Sequence, residues 1–303
     1  MSQKNATKPY VELPLMIDAH MHLPDRANTL NRLTPEERIE VDKVLGIKKC
    51  VALSYADNNP VDIGISTAGI ASPEDTAEVA AKYPDHFTWF CNVYPDGTDK
   101  TYNRLEAYKK MGCKGMGEFI SLFRFSDPLV QHLLGCLEDL ELPFLFHMNP
   151  TGKGYGIVDD PGLPEFEECL AKFPKLKFIG HSQPFWFEIS EYDYDNITVE
   201  ERCAYPAGPV TPGRVPYLLR KYDNLYADLS ADSAGNAIMR DPDYGIQFLT
   251  EFQDKLLFGT DMANTNFIYP LNFYLKSLVH QDKLSAEVFT KIGYLNAERL
   301  LGI

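Results

Sequence analysis

IDAHMHLPDR, residues 17–26, sets two histidines two positions apart at the close of a short apolar run. The chain holds only 7 histidines among 303 residues, so the pair calls for a reason. Strand side chains alternate between faces, which points His20 and His22 the same way and turns Met21 the other way, into packing. Two imidazoles on one side of a strand end can hold one ion together. The weight of that reading depends on what the other strand ends carry.

Short apolar runs rich in strand-forming residues recur along the chain: LMIDAH (15–20), KCVALS (49–54), FTWFCNV (87–93), KGMGEF (114–119), PFLFHM (143–148), KFIGHS (177–182), NLYADLS (224–230) and KLLFGTD (255–261). Helical patterns lie between them, among them TPEERIEVDKVLG, SPEDTAEVAAKYP, TDKTYNRLEAYKKMG, DPLVQHLLGCLEDLEL, LPEFEECLAKFP, TPGRVPYLLRKY, DPDYGIQFLTEFQ and SAEVFTKIGYLNAERLLG. Several open with Ser, Thr or Asp before Pro, a capping side chain followed by a residue suited to the first turn. Strands alternating with helices imply parallel pairing and right-handed crossovers. About eight such units predict a (β/α)8 TIM barrel in a single domain spanning 1–303, with its core over about 15–302. An open doubly wound sheet is the alternative. Two long connections stand out: 55–72, after strand 2, and 183–212, after strand 6. The second is aromatic and acidic and is expected to cover a site.

Composition narrows the class. Hydrophobic residues make up 45% and charged residues 24%, the balance of an ordinary globular protein. The net charge of −14 argues against a nucleic-acid partner, which needs clustered Lys and Arg. Six scattered cysteines without a C-x-x-C read as reduced thiols rather than a disulfide framework. No window reaches the roughly 18 apolar residues of a membrane span, and MSQKNATKPYVELPL lacks the apolar core of a secretory signal. A cytoplasmic protein is expected, acting on a small molecule, with neither nucleic acid nor membrane as partner.

In a TIM barrel the site forms where strands end. His20 and His22 end the first run, Glu118 the fourth, His147 the fifth, His181 the sixth and Asp261 the eighth. Each alone has a plain reading: a core histidine, a strand-end ion pair or a turn residue. Their coincidence at strand ends points to one metal centre, since imidazole with carboxylate suits Zn²⁺ and related divalent ions. His86, His132 and His280 fall in or near helices and receive no role. Arg124, after the fourth run, is a candidate to hold a substrate carboxylate, with Arg26 a weaker one. Asn149 follows His147 by two and faces the same way, Trp186 could wall the pocket, and Asp232 is either a site residue or a cap.

The ordered set IDAHMH, GMGEF, FLFHMNP, FIGHSQPFW, NLYADLS, LLFGTDM and YLNAERLLGI resembles the amidohydrolase superfamily of metal-dependent barrels. Within it, the chain is most similar to the amidohydrolase-related group that contains aminocarboxymuconate-semialdehyde decarboxylase. The resemblance implies that His20, His22, His147 and Asp261 ligate a single metal, usually zinc, with manganese as another choice. It implies an acid/base or water-orienting role for His181. Binuclear relatives often carry a carboxylated lysine in the fourth strand, where this chain has Glu118; deoxyribonucleases of the superfamily use a bridging Glu there, with His181 on a second ion. One ion or two is therefore open. Relatives are commonly dimers, so a homo-oligomer is expected.

These parts suit a hydrolase that uses metal-activated water on a small carboxylated or cyclic amide or lactone, with Asp261 and His181 as the catalytic residues. They also suit nonoxidative decarboxylation. A two-metal phosphoesterase built with Glu118 and a barrel that binds a metal or ligand without turnover are further alternatives.

Overall fold

The computed structural model describes residues 12–25, 33–56, 59, 69–152, 154–263 and 269–303. Every expected strand forms: β1 (Met16–Met21), β2 (Ile47–Leu53), β3 (Phe87–Phe90), β4 (Met116–Phe119), β5 (Phe144–Asn149), β7 (Phe178–His181), β8 (Leu225–Asp228) and β9 (Leu256–Leu257). A short extra strand, β6 (Ile157–Val158), pairs with the end of β5. Pairing is parallel within β1-β2-β3 and within β4-β5-β7-β8-β9. Backbone hydrogen bonds join the free edges of these two sheets. Cys91 N donates to Gly115 O (3.0 Å) and Gly117 N to Cys91 O (2.9 Å); across the other seam Ala19 N donates to Phe258 O (2.8 Å) and Asp261 N to His20 O (2.7 Å). The eight long-run strands thus follow one another around the ring of a (β/α)8 barrel.

The helices start where their caps say. α1 (Pro35–Leu45) has a capping box between Thr34 and Glu37, and α2 (Pro73–Lys82), α3 (Asp99–Lys110) and α4 (Pro128–Asp139) are capped by Ser72, Thr98 and Asp127. α5 (Pro164–Lys172) lacks a cap side chain of its own; Asp159 instead accepts from the amides of Glu165 and Phe166. The stretch expected as an irregular loop, 183–212, is partly helical: α6 (Gln183–Phe187) follows β7 almost at once, and α7 (Val199–Arg202) has its own capping box from Thr198 and Glu201. α8 (Arg214–Lys221) and α10 (Pro242–Glu251) match expected helices, whereas α9 (Ala231–Met239) and α11 (Leu271–His280) were not read from the sequence. The last pattern folds as α12 (Ala286–Thr290), a π-turn over Lys291–Leu295 and α13 (Asn296–Leu301). Most of 55–72 lies outside the described residues. Among the described residues no helix is long and apolar enough to cross a membrane.

Two apolar cores separate the layers. Ile17, Ala19, Val51, Leu53, Phe90, Leu145, Ile179 and Leu257 fill the barrel interior, closed at one end by Ala297 and Leu301 of α13. Met16, Met21, Cys50, Ala52, Met116, Phe119, Phe144, Phe146 and Phe178 pack outward beneath the helices. None of the six cysteines forms a disulfide, and five of them are buried.

Candidate metal centre

Strand alternation alone explains two of the site histidines. On β5 and β7 the interior residues Leu145 and Ile179 are followed two places later by His147 and His181, which rise from the same face. β1 and β4 need a further device. Ile17 and Ala19 face inward, so a regular β1 would send Met21 inward and both histidines out under the helices. The register against β2 slips between Asp18 and Met21, inserting one extra residue. Met21 therefore lands in the outer core, and His20 and His22 turn to the barrel mouth. β4 repeats this: its register against β5 slips between Met116 and Phe119, both outward, which turns Glu118 inward. Gly117 makes the slip possible, for a Cβ there would sit 2.7 Å from Leu145 O at a φ of 155°.

The result is a compact donor cluster. His20 Nε2 lies 3.2 Å from His22 Nε2, and Asp261 Oδ1 lies 3.4 and 3.3 Å from these two nitrogens. Glu118 Oε2 approaches the same pair at 3.6 and 3.3 Å. Its other oxygen, Oε1, meets His147 Nδ1 at 2.5 Å and His181 Nε2 at 3.5 Å. Glu118 thus stands between two groups of ligand atoms, His20, His22 and Asp261 on one side and His147 and His181 on the other.

What lies behind the ligands fixes their tautomers. Asp228 Oδ2 accepts from His20 Nδ1 (2.6 Å), His181 Nδ1 (3.0 Å) and Ser230 Oγ (2.6 Å), while Leu53 O accepts from His22 Nδ1 (3.1 Å). Each of the three rings spends its Nδ1 proton there and turns the Nε2 lone pair to the centre. Asp261 is placed from the other side of the ring. Asp18 accepts from Thr260 N (2.8 Å), Thr260 Oγ1 (2.6 Å) and His20 N (3.1 Å), which locks the turn after β9 onto β1. Gly259 lets that turn pass close, since a Cβ would meet Asp228 Oδ1 at 2.7 Å.

Electrostatics favours a cation here. Burial would raise the Glu118 carboxyl, but His147 above all holds it well below its usual range. Burial likewise resists charging His20, yet Asp261 and Asp228 outweigh it and raise that pKa well above the usual imidazole value. His147 is lowered, chiefly by burial. Convergent Nε2 lone pairs beside ionised carboxylates, out of water, are the donor set of a divalent ion.

The remaining expected contacts fare unevenly. Asn149 follows His147 on the interior side and packs against Gly154. Arg124 is held by two carboxylates, Asp160 Oδ2 at 2.7 Å and Glu165 Oε1 at 2.6 Å, so its guanidinium is not offered free to a substrate acid. Trp186 does not wall the pocket. Only 2% exposed, it packs in the outer core and donates its indole N–H to Asp228 O (3.0 Å), because α6 begins too soon after β7 to reach over the mouth. Asp232 lies in the first turn of α9. Arg26 lies outside the described residues. Asp228 and Ser230 were missed, although an acid within the run NLYADLS, at the end of β8, was signal enough to find Asp228. Tyr155, whose ring lies 4.6 Å from that of His147, had no sequence signal.

The chain belongs to the amidohydrolase family, whose sequence profile matches residues 17–303. Solved structures share its fold at low identity. A TIM-barrel protein of Bordetella bronchiseptica is 18% identical over 95% of this chain and 98% of its own, with a TM-score of 0.61. The 5-carboxyvanillate decarboxylase of Sphingomonas paucimobilis is 14% identical over 95% and 99%, with a TM-score of 0.62. A dihydroxybenzoic acid decarboxylase of Polaromonas, solved with bound manganese and 2-nitroresorcinol, is 17% identical over 96% and 97%, with a TM-score of 0.59. No curated protein matches the chain.

Proposed function

We propose that the protein is a metal-dependent hydrolase that opens an amide, imide or lactone bond in a small molecule. The observation that carries this reading is Glu118, whose two oxygens face two separate groups of ligand atoms. Such a shared carboxylate suits one ion beside His20, His22 and Asp261, zinc or manganese, with room in the donor set for a second beside His147 and His181. Metal bound there supplies water acidified toward a pKa of about 7 and a Lewis acid for a carbonyl oxygen.

The chain's own groups divide the remaining work. Asp261 is the accessible member of the set, its side chain 24% exposed against 0% for His20 and 6% for Glu118. It can accept a proton from an attacking water and return it to the leaving group. His181, its Nδ1 held by Asp228, presents Nε2 toward both Glu118 and Asp261 and can stabilise a developing oxyanion when protonated. Tyr155 lies over His147 and narrows the approach of water on that side.

Nonoxidative decarboxylation is the second reading, favoured by the decarboxylases that share the fold. A metal-loaded preparation assayed against lactones, N-acyl amino acids and hydroxybenzoates separates the two. Hydrolysis without release of carbon dioxide is expected. Carbon dioxide from a hydroxybenzoate, with lactones and amides untouched, would replace the first reading by the second.

A further inference from the structure

We propose that Asp42, Cys50 and His86 form a second metal site, separate from the barrel mouth, for zinc or another thiophilic divalent ion. The three donors come from different elements: Asp42 from α1, Cys50 from β2 and His86 from the turn entering β3. They are held in register by the sheet itself, because Cys50 N donates to His86 O (2.7 Å). Asp42 Oδ2 lies 2.8 Å from His86 Nε2 and 3.1 Å from Cys50 Sγ, and the sulfur lies 4.0 Å from that nitrogen. These separations bracket the roughly 3.4 Å between donors that tetrahedral bonds of about 2.1 Å require.

Arg38 makes the site rather than opposing it. Its Nε donates to Asp42 Oδ1 (2.7 Å), which leaves Oδ2 as the oxygen turned toward Cys50 and His86. Its Nη2 donates to Asp18 Oδ2 (2.5 Å) and reaches Cys50 Sγ at 3.6 Å, the kind of outer contact that steadies a ligand thiolate. Charge then balances. A Cys50 thiolate with Asp18 and Asp42, set against the one guanidinium, leaves two negative charges with His86 neutral, and one divalent ion cancels them. Binding exchanges the thiol proton that now faces Asp42 for the ion and releases it to solvent; nothing is oxidised or reduced. Asp42 and Cys50 are fully buried, while the His86 side chain is 14% exposed, so the ion enters and keeps a water on that side.

Sulfur distinguishes this site from the barrel mouth, where every donor is nitrogen or oxygen. Chelator-stripped full-length protein titrated with cobalt(II) should develop a near-ultraviolet sulfur-to-cobalt charge-transfer band. Cys50→Ser should abolish the band, and His22→Ala should keep it while losing the mouth ion. His86→Gln, at the rim, should weaken cobalt binding at this site by roughly tenfold or more with the fold retained, which keeps the test decisive if Cys50→Ser does not fold. Saturation of the native chain with cobalt without that band would overturn the assignment, as would a band unchanged in Cys50→Ser or in His86→Gln.

Discussion

Two buried groups of charge lie back to back across β1. At the mouth, Glu118, Asp228 and Asp261 surround four imidazoles, and among the described residues no lysine or arginine pairs with any of these carboxylates. Behind the strand, Asp18 and Asp42 share the guanidinium of Arg38. The first group has only titratable partners, while the second sets one permanent cation, the Arg38 guanidinium, against two carboxylates. Asp18 touches both groups, since one oxygen takes Arg38 and Thr260 Oγ1 and the other takes the amides of His20 and Thr260. The difference teaches where each group matters: the mouth should govern turnover, and the cluster behind β1 should govern whether the barrel stands.

Four substitutions press on that contrast. Asp261→Asn should lower kcat by roughly 10²–10⁴-fold with little change in the denaturation midpoint. Unchanged turnover would remove Asp261 from the proton path and break the contrast at its strongest point. Arg38→Met should cost about 3–5 kcal/mol of folding stability in a urea titration, because it strands two buried carboxylates. A loss under 1 kcal/mol would mean that Asp18 and Asp42 are neutral or hydrated. Asp228→Asn should weaken metal binding at the mouth about 10–100-fold, seen in a competition titration with a chelator, since it frees Nδ1 of His20 and His181. Equal affinity in that variant would show that the rings need no such anchor. The smallest effect is expected of Trp186→Phe, which removes one indole hydrogen bond to Asp228 O and should cost about 1 kcal/mol of stability while kcat stays within threefold. A larger fall in kcat than in stability would return Trp186 to the pocket.

Much of this architecture is legible in one dimension. Strand and helix periods differ, and several helix openings are marked by a capping side chain, so Thr34, Ser72 and Asp127 announce α1, α2 and α4. α9, ADSAGNAIM, escaped because its small residues and glycine carry little periodic signal, and α6 escaped because five residues are too few to show any. At the site, His147 and His181 could be placed from alternation with Leu145 and Ile179 alone. Arg124 and Trp186 could not be judged, for their partners, Glu165 and the carbonyl of Asp228, lie 41 and 42 residues away.

The sequence by itself determined the barrel, its strand-end histidines and acids, and the parity of His20 with His22, because all of these follow from local periodicity. Which face that pair occupies was decided only by tertiary structure. Pairing with β2 and β5 inserts one extra residue into β1 and β4, and a one-residue slip moves every later side chain to the opposite face. The sharing of Glu118 between two ligand groups, and the choice of tautomer by Asp228 and Leu53, likewise exist only once distant strands are side by side.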